Sequence, residues 1–88
     1  MQITAEELGK QIKNFIQENF IFDGKDIAPE TSLIGSGTID STGIIDVIGY
    51  LEQTFGILFE DDELVAENFD SIAKIQGFML RKLAGTEA

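Results

Sequence analysis

The chain has 88 residues, 16 acidic against 6 basic side chains for a net charge of −10, 43% apolar residues, and neither cysteine nor histidine. That length and apolar content suit one domain over residues 1–88 with a modest core rather than a disordered chain. Without Cys or His there is no disulfide, thiol nucleophile, zinc cluster or Ser-His-Asp triad, and the negative charge repels nucleic acid and anionic lipid while favouring basic protein partners.

No catalytic residue and no metal site are therefore expected, and an enzyme reading starts from a weak position. No apolar run approaches the roughly 18 residues that span a bilayer, and the opening MQITAEELGK lacks a signal peptide's charged start and apolar stretch. A cytoplasmic monomer is the expectation.

The first helix opens with Thr4 as N-cap, Glu7 closing a capping box and Ile3 packing on Leu8. Leu8, Ile12, Phe15, Ile16 and Phe20 then follow the helical period, with Lys10, Lys13, Gln17 and Glu18 largely opposite. Residues 22–39 break the pattern with Asp23-Gly24, Ala28-Pro29, Gly35 and Gly37, giving a long ordered loop in which Leu33 and Ile34 are expected to pack inward.

A second helix is predicted over residues 41–55, capped by Asp40, striped with Ile44, Val47, Ile48, Leu51 and Phe55, and ended by a left-handed Gly56. Glu60, Asp61, Asp62 and Glu63 place negative charge at the start of a short third helix running through Leu64 and Val65. Asn68 is expected to cap a last helix carrying Phe69, Ile72, Ile75, Phe78, Met79 and Leu83, with Arg81 and Lys82 at its negative end. The fold class is all-α: a small four-helix bundle of three longer helices and one short one, with a long loop between the first two.

Nine acidic residues and no Lys or Arg lie between Asp40 and Asp70. The acidic cluster lacks the spaced ligands and central Gly of an EF-hand loop, so Asp46, Glu52, Glu60 and Asp61 read either as a solvated face or as a docking surface for a basic partner. Ile45 sits beside the buried stripe, displaced toward Asp46, Gly49 and Tyr50, where a partner contact competes with core packing. Gly43 and Gly49 each cost about 1 kcal/mol relative to Ala inside a helix, so something is expected to approach the backbone closely there. Ser41 opens the second helix, whose free N–H groups and dipole favour a phosphate. A second pair, Asp70-Ser71, stands near the start of the last helix, where Ser71 reads as a first-turn residue.

Asp40-Ser41-Thr42, within GSGTIDSTGIIDVIGYLE, resembles the phosphopantetheine attachment site of the acyl carrier protein family. The likeness extends over nearly the whole chain, from the capped first helix through the long loop ending in Asp-Ser to the acidic short helix and the last helix. It implies that a phosphopantetheinyl transferase moves 4′-phosphopantetheine from coenzyme A to Ser41, with Asp40 as cap and recognition element. It also implies partner contacts through Thr42, Ile45, Asp46, Gly49, Glu52, Glu60 and Asp61. The partners implied are an acyl-loading ligase or synthase and downstream acyl-transfer enzymes with basic docking surfaces. Thr42, Gly43 and Gly49 depart from the Leu and the larger or charged residues common there, which fits a specialised carrier with a dedicated ligase at least as well as fatty-acid synthesis. A peptidyl or aminoacyl carrier with the same arm, or an unmodified acidic interaction module, are the alternatives.

Overall fold

The computed structural model describes residues 4–21 and 26–87, with side chains described to Leu83. The expected staple from Ile3 and the Asp23-Gly24 turn lie outside these residues. The architecture is all-helical: α1 (Ala5–Phe20), α2 (Ser41–Phe55), a 3-10 turn (Asp61–Glu63), α3 (Ala66–Phe69) and α4 (Ile72–Glu87), with no strand among the described residues.

Helix α1 starts as its sequence predicts. Thr4 is extended, and its hydroxyl accepts the Glu7 N–H at 3.1 Å, satisfying one of the first-turn donors. The reciprocal half of a capping box is not present, so Glu7 contributes its backbone rather than its carboxylate. Leu8, Ile12 and Ile16 are buried while Phe15 and Phe20 are half-buried, the division expected of a stripe that meets the core along its centre.

Helix α1 packs on α4, and the amide of Gln76 donates to the Ala5 carbonyl at 2.6 Å, fixing the start of one helix to the middle of the other. Val47 and Leu51 carry α2 into the same core, with Ile44, Ile48 and Phe55 at its margin. Phe15 stacks on Tyr50 with centroids 4.0 Å apart, which joins α1 to α2 at the edge of the core. Burial pushes the Tyr50 phenol pKa above its ordinary value. Phe59, Phe69 and Phe78 form a second aromatic group with centroids 5.6 to 5.7 Å apart. They join the segment after α2 and the short α3 to α4.

Gly56 ends α2 in the left-handed conformation, with φ 66°, and the N–H groups of Gly56 and Ile57 both return to the Glu52 carbonyl. After this point the sequence-based expectation needs correcting. The acidic run 60–63 makes only a 3-10 turn, and the chain is extended or irregular at Leu64 and Val65 before α3 begins at Ala66. The predicted short helix is thus a 3-10 turn followed by a separate four-residue helix. Hydrophobic Leu64 and Val65 are both exposed, so no buried face exists there to hold a continuous helix.

Asn68 lies within α3 and does not cap α4; its side-chain amide donates to the Glu63 carbonyl at 2.9 Å, and Phe69 belongs to α3. The cap of α4 is Ser71, whose hydroxyl accepts the Lys74 N–H at 3.0 Å. Arg81 and Lys82 do not stand at the negative end, because α4 continues to Glu87. Lys82 instead reaches Glu63 at 2.9 Å and lies 5.4 Å from the centre of the Phe59 ring, tying the 3-10 turn to α4.

Candidate functional site

The site is the junction at which the loop before α2 meets the helix. Asp40 has an extended backbone and its carboxylate accepts the Gly43 N–H at 2.8 Å, so the capping residue is Asp40 and Ser41 becomes the first helical residue. Its carbonyl takes the Ile44 N–H at 3.0 Å, the first bond of α2. Ser41 and Thr42 are both exposed. Among the described residues none hydrogen-bonds the Ser41 hydroxyl, and the backbone N–H groups of Ser41 and Thr42 have no partner, as the first donors of a helix do not.

Gly43 explains how closely this junction is packed. A Cβ there would stand 2.7 Å from Ile39 and 2.9 Å from the Phe20 ring, closer than atoms can approach without a shift. Buried Gly43 therefore admits both side chains under the first turn of α2, which meets the expectation of a close approach there. Gly49 differs: a Cβ would meet nothing within 4 Å, so no part of the described chain requires a glycine at that place.

The loop that delivers Ser41 is held by residues far along the chain. The Asp70 carboxylate accepts the Ser32 hydroxyl with both oxygens at 2.9 Å and the Ile34 N–H at 2.9 Å, while its backbone carbonyl accepts from Leu33. The Pro29 carbonyl accepts the Ala73 N–H at 2.9 Å, a further bond between loop and α4. The Ile34 N–H and then the Ser32 hydroxyl hold the Asp70 carboxyl pKa below its ordinary value. Leu33 is fully buried, as expected, but Ile34 is 39% exposed: with its N–H committed to Asp70, its side chain stays at the surface.

The predicted partner-facing residues separate into two groups. Thr42, Ile45, Asp46 and Gly49 are exposed along α2, Ile45 to 67%, and Glu60 and Asp61 are exposed in the following segment. Glu52 is half-buried, and one of its carboxylate oxygens accepts the Phe59 N–H at 3.0 Å, which restrains the chain leaving α2. Glu63 is likewise turned inward, toward the Glu60 N–H at 2.7 Å and the Lys82 ammonium, and these hold its carboxyl pKa below the ordinary value. The sequence reading missed Asp70, Glu52 and Glu63 as internal fasteners. The Glu63 bond to the Glu60 N–H is a capping box that a local pattern could have signalled, whereas Glu52 and Asp70 find partners 7 and up to 38 residues away with no such pattern.

The second Asp-Ser pair does not resemble the first in its surroundings. Ser71 is 4% exposed and its oxygen is occupied by the Lys74 N–H. A phosphate ester there would need to enter the core. At Ser41 the opposite holds, because a free hydroxyl at an open helix start, beside two unpaired N–H groups, fits a phosphodiester.

Residues 10–76 match the family described as phosphopantetheine attachment site. The chain is 27% identical over 80 residues to an acyl carrier protein of Thermotoga maritima, covering 91% of this chain and 96% of that protein. An acyl carrier protein of Lactobacillus acidophilus is 33% identical over 61 residues, covering 69% of this chain and 76% of its own length. One from Coprothermobacter proteolyticus is 27% identical over 62 residues, with 70% and 76% covered.

Proposed function

That the chain belongs to the phosphopantetheine attachment-site family of acyl carrier proteins is the premise from which we propose that it carries acyl groups as thioesters on Ser41 and delivers them to partner enzymes. The family's cofactor is covalent 4′-phosphopantetheine, whose terminal thiol is a group that the cysteine-free chain lacks. The observation that carries the assignment to Ser41 is its exposed, unbonded hydroxyl at the start of α2, against the buried and bonded Ser71.

In the attachment, Ser41 Oγ forms a phosphodiester bond to the phosphate that bears the pantetheine of coenzyme A. The pyrophosphate bond to the adenosine half breaks, that half leaves as its bisphosphate, and a base of the transferase takes the hydroxyl proton. Asp40 orients the serine by capping, so its carboxylate is committed to Gly43 rather than to proton transfer. The chain itself then needs no catalytic group, and its contribution is exposure and tethering, which raise the local concentration of cargo at a docked enzyme.

The exposed face of α2 through Thr42, Ile45, Asp46 and Gly49, with acidic Glu60 and Asp61, suits docking by the transferase, by an acyl-loading ligase and by downstream acyl-transfer enzymes with basic surfaces. Glu52 contributes less, since one oxygen is already used within the fold. Among the described residues no helix is long and apolar enough to cross a membrane, and a cytoplasmic setting belongs to the same proposal. That the three relatives are acyl carrier proteins supports acyl cargo over aminoacyl cargo.

The test is incubation with coenzyme A and a broad-specificity phosphopantetheinyl transferase, read by intact mass. A gain of one phosphopantetheine that disappears in Ser41→Ala and persists in Ser71→Ala is the expected result. No gain in the wild type, or a gain that survives Ser41→Ala, overturns the assignment.

A further inference from the structure

Four hydrogen bonds run from Asp70 to three consecutive loop residues, Ser32, Leu33 and Ile34, across 36 to 38 positions of sequence. The next bond continues toward α2: the Leu33 carbonyl accepts the Ile39 N–H at 3.1 Å, and Ile39 immediately precedes Asp40-Ser41. Ile39 is itself buried against the position of Gly43, where its side chain fixes the first turn of α2. Asp70 is therefore joined to the backbone that presents Ser41 through its own carbonyl at Leu33, and its carboxylate fastens the residues on either side, Ser32 and Ile34. The distal end of that connection is rigid, because Ser71 caps α4 and Ile72 and Ile75 are buried.

We propose that Asp70 is a positioning residue for the modification of Ser41, setting the height and direction at which the serine hydroxyl is offered to the transferase. This rests on the assignment of Ser41 as the attachment site and goes beyond it by naming a residue outside α2 on which the reaction depends. The physical requirement is geometric. Phosphoryl transfer needs the attacking oxygen in line with the leaving group, and small misplacement of a reacting atom costs rate rather than binding. The exposed α2 face that would meet the transferase is anchored by Val47 and Leu51, and the hydrogen bonds of Asp70 go to the loop and not to that helix.

Asp70→Asn keeps the oxygen that accepts both the Ile34 N–H and the Ser32 hydroxyl and loses the charge and the second acceptor of that hydroxyl, whereas Asp70→Ala removes all side-chain bonds and Ser32→Ala removes the hydroxyl from the loop side. Ser71→Ala is the control, since it weakens the same helix end without touching the loop. The measurement is steady-state labelling by the transferase at saturating coenzyme A, with the carrier concentration varied, alongside amide NMR spectra. The expected result is a fall in kcat of about tenfold for Asp70→Ala, less for Asp70→Asn and Ser32→Ala, with KM for the carrier changed less than about twofold. Amide shifts should reach Ile34, Ser41 and Thr42 in the Asp70 variants, and Ser71→Ala should leave kcat and those amides near wild type.

Equal kcat in wild type and in folded Asp70→Asn and Ser32→Ala overturns the inference while leaving Ser41 as the attachment site. A fall in Ser71→Ala as large as in Asp70→Ala also overturns it, since general loosening would then suffice. Failure of the wild type to be labelled removes the assignment of Ser41 and this inference with it.

Discussion

Asp40-Ser41 and Asp70-Ser71 are the same dipeptide at the start of a helix, and they differ by one position in which residue does the capping. At the first pair Asp40 is extended and caps, so Ser41 falls inside the first turn with its hydroxyl free. At the second Asp70 still has helical backbone angles, φ −79° and ψ −12°, because it closes α3; the cap passes to Ser71 and the Asp70 carboxylate is released to hold the loop. A single-residue shift of the cap thus leaves one serine exposed with its hydroxyl free and buries the other as structure. The two ends are also linked, since the buried pair holds the loop that presents the exposed one.

The comparison can be tested most strongly through the two aspartates. Asp70→Ala should lower the unfolding free energy by about 2 kcal/mol, because it leaves a backbone N–H and a hydroxyl without a charged acceptor. Asp40→Ala should cost about 1 kcal/mol, the usual loss of one helix cap. Urea titration with unchanged slope measures both. Equal losses would mean that the bonds across the molecule add nothing beyond local capping.

The glycines beside the first pair provide a smaller contrast of opposite sign. Gly43→Ala should destabilise by about 1–2 kcal/mol as the new methyl meets Ile39 and Phe20. Gly49→Ala should stabilise by up to about 1 kcal/mol, since the helix gains propensity and the site is open. Thermal unfolding of the two variants reads the difference. Stabilisation by both would show that the junction under α2 is loosely packed.

The smallest effect is expected with acid. The folded pKa of Asp70 is held below its ordinary 3.8, so its contribution is complete above that value and disappears as pH falls through the lower folded value. The stability difference between wild type and Asp70→Ala should therefore be constant at neutral and mildly acidic pH and shrink below 3.8. The difference is the informative quantity, because protonation also relieves the repulsion of a chain with a charge of −10. A gap that widens on acidification would contradict the bonds assigned to Asp70.

Much of this molecule is legible from local patterns. The α1 stripe, the Thr4 and Asp40 caps, the Gly56 stop and the inward turn of Leu33 all follow from periodicity or from bonds spanning a few residues. The acidic segment after α2 was less so. Charge at residues 60–63 suggested a helix start, but Leu64 and Val65 have no core to enter, and helix formation there stops after one 3-10 turn. Asn68 is a residue type suited to capping, yet Ser71, three residues later, takes that role because the backbone first closes α3 around Phe69. The cost of a long loop in a small domain favours packing both Leu33 and Ile34 inward, but only Leu33 is buried, and Ile34, its N–H bonded to Asp70, stays at the surface.

By itself the sequence determined the helical class, the family of the chain and the hydroxyl at the start of α2, because each depends on residues close together along the chain. Only the tertiary structure showed Ser41 exposed and Ser71 buried, made Gly43 a packing requirement and Gly49 an open one, and turned Asp70, Glu52 and Glu63 from surface charge into fasteners. The reason is that burial and hydrogen-bond partners are set by segments brought together from distant parts of the chain, which no local spacing records.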